Sequence, residues 1–151
     1  MKNQYKRPAS FRAVTIIYFG LLIGQAILAM ILFYMMQGQT QQLPEAPFNM
    51  IIPGAVFFGM AGAYLIGQQR ASGIPINGTT QEKLEHFQTS KIIQLALAEG
   101  GNLISLVLTF TMANTQYMMW FGIGLAVFIL LRPAKDRFME DYQIGVGESF
   151  E

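Results

Sequence analysis

In 151 residues the chain carries 52% hydrophobic and only 13% charged side chains, a net charge of +1 and no cysteine. A soluble domain carries about 25% charged residues and scatters its apolar ones with a strand or helix period. The composition therefore excludes an ordinary water-soluble globular fold, and the missing cysteine excludes disulfides, thiolate catalysis and Cys-ligated metal.

Crossing about 30 Å of hydrocarbon takes about 20 apolar residues at a rise of about 1.5 Å each. A basic start with Lys2, Lys6, Arg7 and Arg12 leads into the first predicted span, 13–36. That run is longer than the roughly 7–15-residue core of a signal peptide and ends without an A-x-A site, so an uncleaved span is expected. It contains "GLLIG", with Gly20 and Gly24 one turn apart. The second span, 48–67, places Ala55, Gly59, Ala63 and Gly67 at every fourth position. Small-residue ridges of this kind let helices approach closely, and packing within the chain is the expected use.

The connection 68–91 is the only substantial loop. Gly73, Pro75 and Asn77-Gly78 are turn chemistry, and Thr79 followed by Glu82 is a capping box. A helix is thus expected from near Thr80, starting in water and entering the bilayer around Lys91. His86 on its exposed first turns reads as a solvated residue. The third span, 92–113, is joined to the fourth, 117–131, by Asn114, Thr115 and Gln116, short enough for a tight helical hairpin. Arg132-Pro133 marks the membrane exit, and in the tail 132–151 Phe138 and Tyr142 fall at i, i+4. This spacing predicts a short amphipathic helix on the inner membrane surface.

All ten Lys and Arg lie before span one, between spans two and three, or after span four, while Glu45 is the only charge in the other two loops. The positive-inside rule then predicts cytoplasmic termini and a cytoplasmic middle loop. Tyr34, Phe48, Tyr117 and Trp120 would form the outer aromatic belt. The expected architecture is a single all-α membrane domain, 1–151: an integral four-helix bundle, N-in/C-in, in the inner (plasma) membrane.

One acid interrupts span three. An ionisable residue inside a span is costly and points to function. Glu99 lies about 12 Å along the helix from Lys91. At about 100° per residue, Lys91, Gln94, Ala98, Asn102, Ser105 and Thr109 form a polar or small stripe, with Glu99 at its edge. The same depth in the other spans falls at Gly20, Gly62 and Gly124, where missing side chains permit close approach or a small polar cavity. Tyr18 and Gln25, seven apart on one face of span one, are the candidate partners of Glu99. A protonated Glu99 bonded to Asn102 or a tyrosine would be interhelical glue. A working carboxylate there would exchange protons or bind a small cation.

Two resemblances arise at these residues. "ALAEG" in span three, with "LLRPAKDRFMEDYQI" near the end, resembles a family of uncharacterised small four-span bacterial membrane proteins, which implies a multi-pass inner-membrane protein. "IIQLALAEGGNLISLVLTF" is similar to the carboxylate helix of the rotary ATPase proteolipid (c) subunits, which implies an ion-carrying acid at Glu99. The chain departs from that family: Glu99 is nearer the inner surface, the compact Arg-Gln-Pro turn is missing, and two extra spans flank the hairpin.

No Ser-His-Asp set, paired carboxylates, phosphate-cradling loop or metal cluster is visible, so neither an enzyme nor a cofactor is expected. The basic residues are explained by topology and do not point to nucleic acid. Two functions survive: a non-catalytic membrane subunit or scaffold, or a transport element handling protons or a small cation through Glu99, Gln94, Asn102 and Tyr18. Four short spans leave a monomer little room for alternating access, so the expected partners are the bilayer and either further copies or a larger membrane complex.

Overall fold

A computed structural model describes residues 9–38 and 46–145. Lys2, Lys6, Arg7 and Glu45, on which part of the topology argument rests, lie outside the described residues, as does the end of the tail. The described chain is all helical: α1 (Phe11–Met36), α2 (Phe48–Ala71), α3 (Thr80–Thr111), a 3-10 turn (Thr115–Tyr117), α4 (Met118–Leu130) and α5 (Lys135–Asp141). Three of these helices are long and apolar enough to cross a membrane. The stretch Thr115–Leu130 passes the same test only together with α5, across a bend of 60°.

Local sequence explains the helix ends. Ser10 caps α1, its hydroxyl accepting from the Ala13 N–H at 3.1 Å. At α3 the capping box forms in both directions. The Thr79 hydroxyl accepts from the Glu82 N–H at 3.3 Å, and the Glu82 carboxylate accepts from the Thr79 N–H at 2.7 Å. α3 ends in a left-handed turn with Ala113 at φ 46°, the position glycine usually takes. The Asn114 N–H reaches back to the Thr109 carbonyl, and the Asn114 side chain then caps the 3-10 turn by accepting from the Gln116 N–H at 2.9 Å.

α3 is the central helix, in contact with α1, α2 and α4. Its contact with α2 is backbone on backbone. A Cβ at Gly101 would lie 2.6 Å from the Ala55 carbonyl oxygen and 3.2 Å from Gly59 Cα, and one at Gly59 would lie 2.8 Å from the Leu97 carbonyl oxygen. Further along, a Cβ added at Gly62 would lie 3.6 Å from the Leu97 side chain, and Gln94 fills the space that a side chain at Gly67 would need. The small ridge of α2 is therefore spent inside the chain. On α1, Gly20 and Gly24 meet nothing within 4 Å.

α1 packs on a different flank of α3. Tyr18, Leu21 and Leu22 join Leu95 and Ala98, with Phe128 of α4 stacked on Tyr18 at 5.6 Å. One level further along α1 and α3, Leu28, Ala29 and Leu32 join Leu103, Leu106 and Phe121. Large apolar side chains elsewhere face outward, among them Phe58 at 75% and Leu130 at 78% exposed, as lipid-facing positions would.

Two expectations fail here. The apolar face of α5 does not lie open for a membrane surface: Phe138 is fully buried and Tyr142 nearly so, in a cluster with Val14, Leu84, Phe87 and Phe11. Phe87 sits 4.7 Å from Phe138 and 5.6 Å from Phe11, ring centre to ring centre, and these contacts hold α5 on the first turns of α3. Tyr117, assigned to the outer aromatic belt, is also buried.

Nor is His86 simply solvated. Its Nδ1 lies 2.8 Å from the Tyr142 hydroxyl, on the part of α3 that precedes Lys91 and the span. Burial, reinforced by the Arg70 guanidinium, pushes His86 below the usual 6.5. Burial, reinforced by Asp141, pushes the Tyr142 phenol up to about 12. The imidazole and the phenol share one hydrogen bond that ties α5 to the first turns of α3.

Two outcomes follow from this packing. Gly101→Ala is expected to lower stability in a detergent unfolding titration by about 1–3 kcal/mol, since backbone has to move to admit the methyl. Gly100→Ala, whose new methyl meets nothing within 4 Å, should be neutral or stabilising. Equal losses would contradict the crossing. The second outcome concerns pH. A folded His86 with a lowered pKa binds protons less readily than the unfolded ring, so the unfolded state gains protons as pH falls below 6.5. Docking of α5 should weaken from there down through the lowered folded value, while the Tyr142 contribution is lost only as pH rises toward 12. Hydrogen exchange at amides 138–144, corrected for intrinsic rate, should speed up from pH 7 to pH 5, and His86→Gln should flatten that dependence. A flat profile in the unaltered protein would count against the contact.

Candidate functional site

The residues that the sequence groups around Glu99 are divided by the fold into three internal contacts and one solitary acid. Tyr18 is buried, and its hydroxyl donates to the Ile129 carbonyl of α4 at 3.3 Å. Gln25 is buried too, and its Oε1 accepts from Asn102 Nδ2 at 2.8 Å, a direct bond between α1 and α3. Gln94 accepts from the Lys91 ammonium at 3.1 Å, in a small pocket with Gly67, Arg70 and Asp141. None of these side chains reaches Glu99.

Geometry explains the separation. Gly101 is pinned against α2, which turns Asn102, about 100° further round, toward α1 and α4. Asn102 Oδ1 occupies the space that a side chain at Gly124 would need, so this glycine admits an amide. Of the three glycines at the depth of Glu99, then, Gly124 receives Asn102, Gly62 receives Leu97, and Gly20 faces outward. No polar cavity around Glu99 results from them.

The polar centre of the bundle is therefore Gln25 and Asn102, with Ser105 a turn away. Gln25 Nε2, Asn102 Oδ1 and Ser105 Oγ are all buried without a hydrogen-bond partner, and Thr109 bonds back to the Ser105 carbonyl at 2.7 Å. Amides and hydroxyls of this kind do not titrate in the physiological range, so this centre can orient helices but cannot carry a proton. An unmade hydrogen bond in a buried amide is costly, which makes the one bond that is made a strong determinant of how α1 sits on α3.

Glu99 lies about 60° round α3 from Asn102, on the side away from the α2 contact. Leu95 and Leu103, one turn before and after it, both belong to clusters that contain α1 residues. Glu99 itself is half-buried at the edge of that α1–α3 seam and forms no hydrogen bond or ion pair among the described residues. It is the only ionisable side chain in α3 beyond Lys91. Among the described residues, no group of three His, Cys, Asp or Glu side chains stands close enough to hold a metal ion.

Sequence reasoning missed two features. It did not see the Gln25–Asn102 bond, because a stripe at 100° per residue gives the face of α3 without the partner on α1. It also read Arg132, Lys135 and Arg137 as topology alone, although they line a cleft of about 580 Å³ beside the start of α1. The density of cations in "RPAKDR" was the available signal. Comparison with family models, with curated proteins and with solved structures gives no match.

Proposed function

We propose that the chain is a non-catalytic subunit of a larger membrane assembly, contacted by a further span along the flank that carries Glu99. The observation that carries this reading is the isolation of Glu99: Tyr18, Gln25, Gln94 and Asn102 are each engaged inside the chain, and the acid is not. A half-buried carboxyl at membrane depth with no internal partner is costly, and a donor on a neighbouring helix relieves that cost.

The chain is read as a four-span protein of the inner membrane with both termini cytoplasmic. The gathering of cations supports this orientation. Phe11, next to Arg12, packs on Phe87 and Phe138, Arg70 and Lys91 share one pocket, and Arg132, Lys135 and Arg137 line the cleft beside Phe11. The described Lys and Arg thus collect at one end of the bundle, as the positive-inside rule requires.

The chain lacks cysteine, so a single probe can be installed cleanly. A photo-crosslinking residue at exposed Ala96, one turn before Glu99 on the outer side of α3, should give a discrete adduct in native membranes. The same probe at Phe58 on α2 should not. Glu99→Ala should weaken that adduct about three- to twenty-fold, the range of intramembrane hydrogen bonds. Absence of a Glu99-dependent adduct would contradict the proposal. Dissipation of a pH gradient by the purified chain in vesicles, abolished by Glu99→Gln, would move the assignment to proton or cation transport.

A further inference from the structure

The cleft at the other side of the bundle carries a different inference. α4 stops at Leu130 and the chain bends by 60° into α5, which opens a cleft of about 580 Å³ against the first turns of α1. That volume is in the range of small-molecule sites. Arg132, Lys135 and Arg137 supply three cations to its lining, and Asp136 is the one acid there. Another part of the lining is apolar and lies at the surface, with Phe19 at 42%, Ile129 at 49% and Leu130 at 78% exposed.

One carbonyl of the last turn of α4 is doubly hydrogen-bonded at this point. The Ile129 carbonyl accepts both from the Tyr18 hydroxyl at 3.3 Å and from the Arg132 N–H at 3.2 Å. Arg132 and Arg137, each a planar fork suited to phosphate oxygens, are exposed at the cleft.

We infer that this cleft holds the headgroup of an anionic phospholipid, with the phosphate against Arg132, Lys135 and Arg137 and the acyl chains along Phe19, Ile129 and Leu130. The apolar wall argues for a lipid over free inorganic phosphate, because it covers surface that a lone anion would leave exposed. Charge alone would attract anionic lipid to the whole cytoplasmic rim. What the structure adds is a cleft that places the cations next to a lipid-facing wall. The inference shares the membrane reading above but needs no partner at Glu99, so either can fail without the other.

Phe19→Trp in a Trp120→Phe background puts the chain's one tryptophan on the cleft wall. In nanodiscs of mixed composition, its quenching by brominated phosphatidylglycerol should exceed that by brominated phosphatidylcholine. Both leaflets carry the same lipid, so orientation does not affect the reading. Arg132→Gln with Arg137→Gln should reduce the anionic preference about tenfold. The corresponding Arg→Lys pair, which keeps the charge, should retain most of it and shows that the fold survives. Arg70→Gln, at a separate pocket, should leave it unchanged. Equal quenching by the two lipids, or an equal loss with Arg70→Gln, would overturn the site. Displacement of the anionic lipid by millimolar inorganic phosphate would reassign it to a soluble phosphate ligand.

Discussion

The backbone contact between Gly59 and Gly101 is the constraint from which the rest of the arrangement follows. Neither residue has a side chain, and α2 lies so close to α3 that a Cβ added at Gly101 would fall 2.6 Å from the Ala55 carbonyl oxygen and 3.2 Å from Gly59 Cα. That contact sets the rotation of α3 as well as its distance. Asn102 is swung toward α1 and α4, where Gly124 makes room for its amide. Glu99, two residues before Gly101, ends about 160° round the helix from the α2 contact and cannot be covered by it. A larger residue at either glycine would alter both the packing and the direction in which the acid points.

The consequence is a division of labour along one helix. The amides Gln94 and Asn102 face inward and bond within the chain, to Lys91 and Gln25. The only ionisable group at membrane depth on α3 stands at a seam and bonds to nothing described. The non-titratable groups of α3 thus hold the helices together, while Glu99 has no partner among the described residues, and this contrast is what the proposed contact with a neighbouring span rests on. At the basic end, the aromatic cluster of Phe11, Phe87, Phe138 and Tyr142 folds α5 back onto α3, and that fold-back shapes the cationic cleft.

Much of this was legible in the sequence because it depends on neighbours along the chain. Apolar blocks put the first span at 13–36, and α1 runs Phe11–Met36; the capping box at Thr79 and Glu82 puts the start of α3 at Thr80. The ridge Ala55, Gly59, Ala63, Gly67 announces close packing by its spacing alone. What spacing cannot supply is the partner. Tyr18 and Gln25 were expected to meet Glu99, yet their bonds go to Ile129 and Asn102, because the choice depends on a rotation set by Gly101 against α2. α5 looked like a surface helix because Phe138 and Tyr142 show a moment with no visible counterpart. Its counterparts, Phe11 and Phe87, lie far away in sequence and are brought to it only by the assembled bundle.

The most direct test of this partition is a set of double-mutant cycles in detergent unfolding. Gln25→Ala combined with Asn102→Ala should show a coupling of about 0.6 kcal/mol or more, as interhelical hydrogen bonds in membranes do. Glu99→Ala should show no coupling in the monomer with either Gln25→Ala or Tyr18→Phe. Coupling of Glu99 to Gln25 or Tyr18 as large as that of Asn102 to Gln25 would mean that the acid is held inside the chain, and would contradict the account.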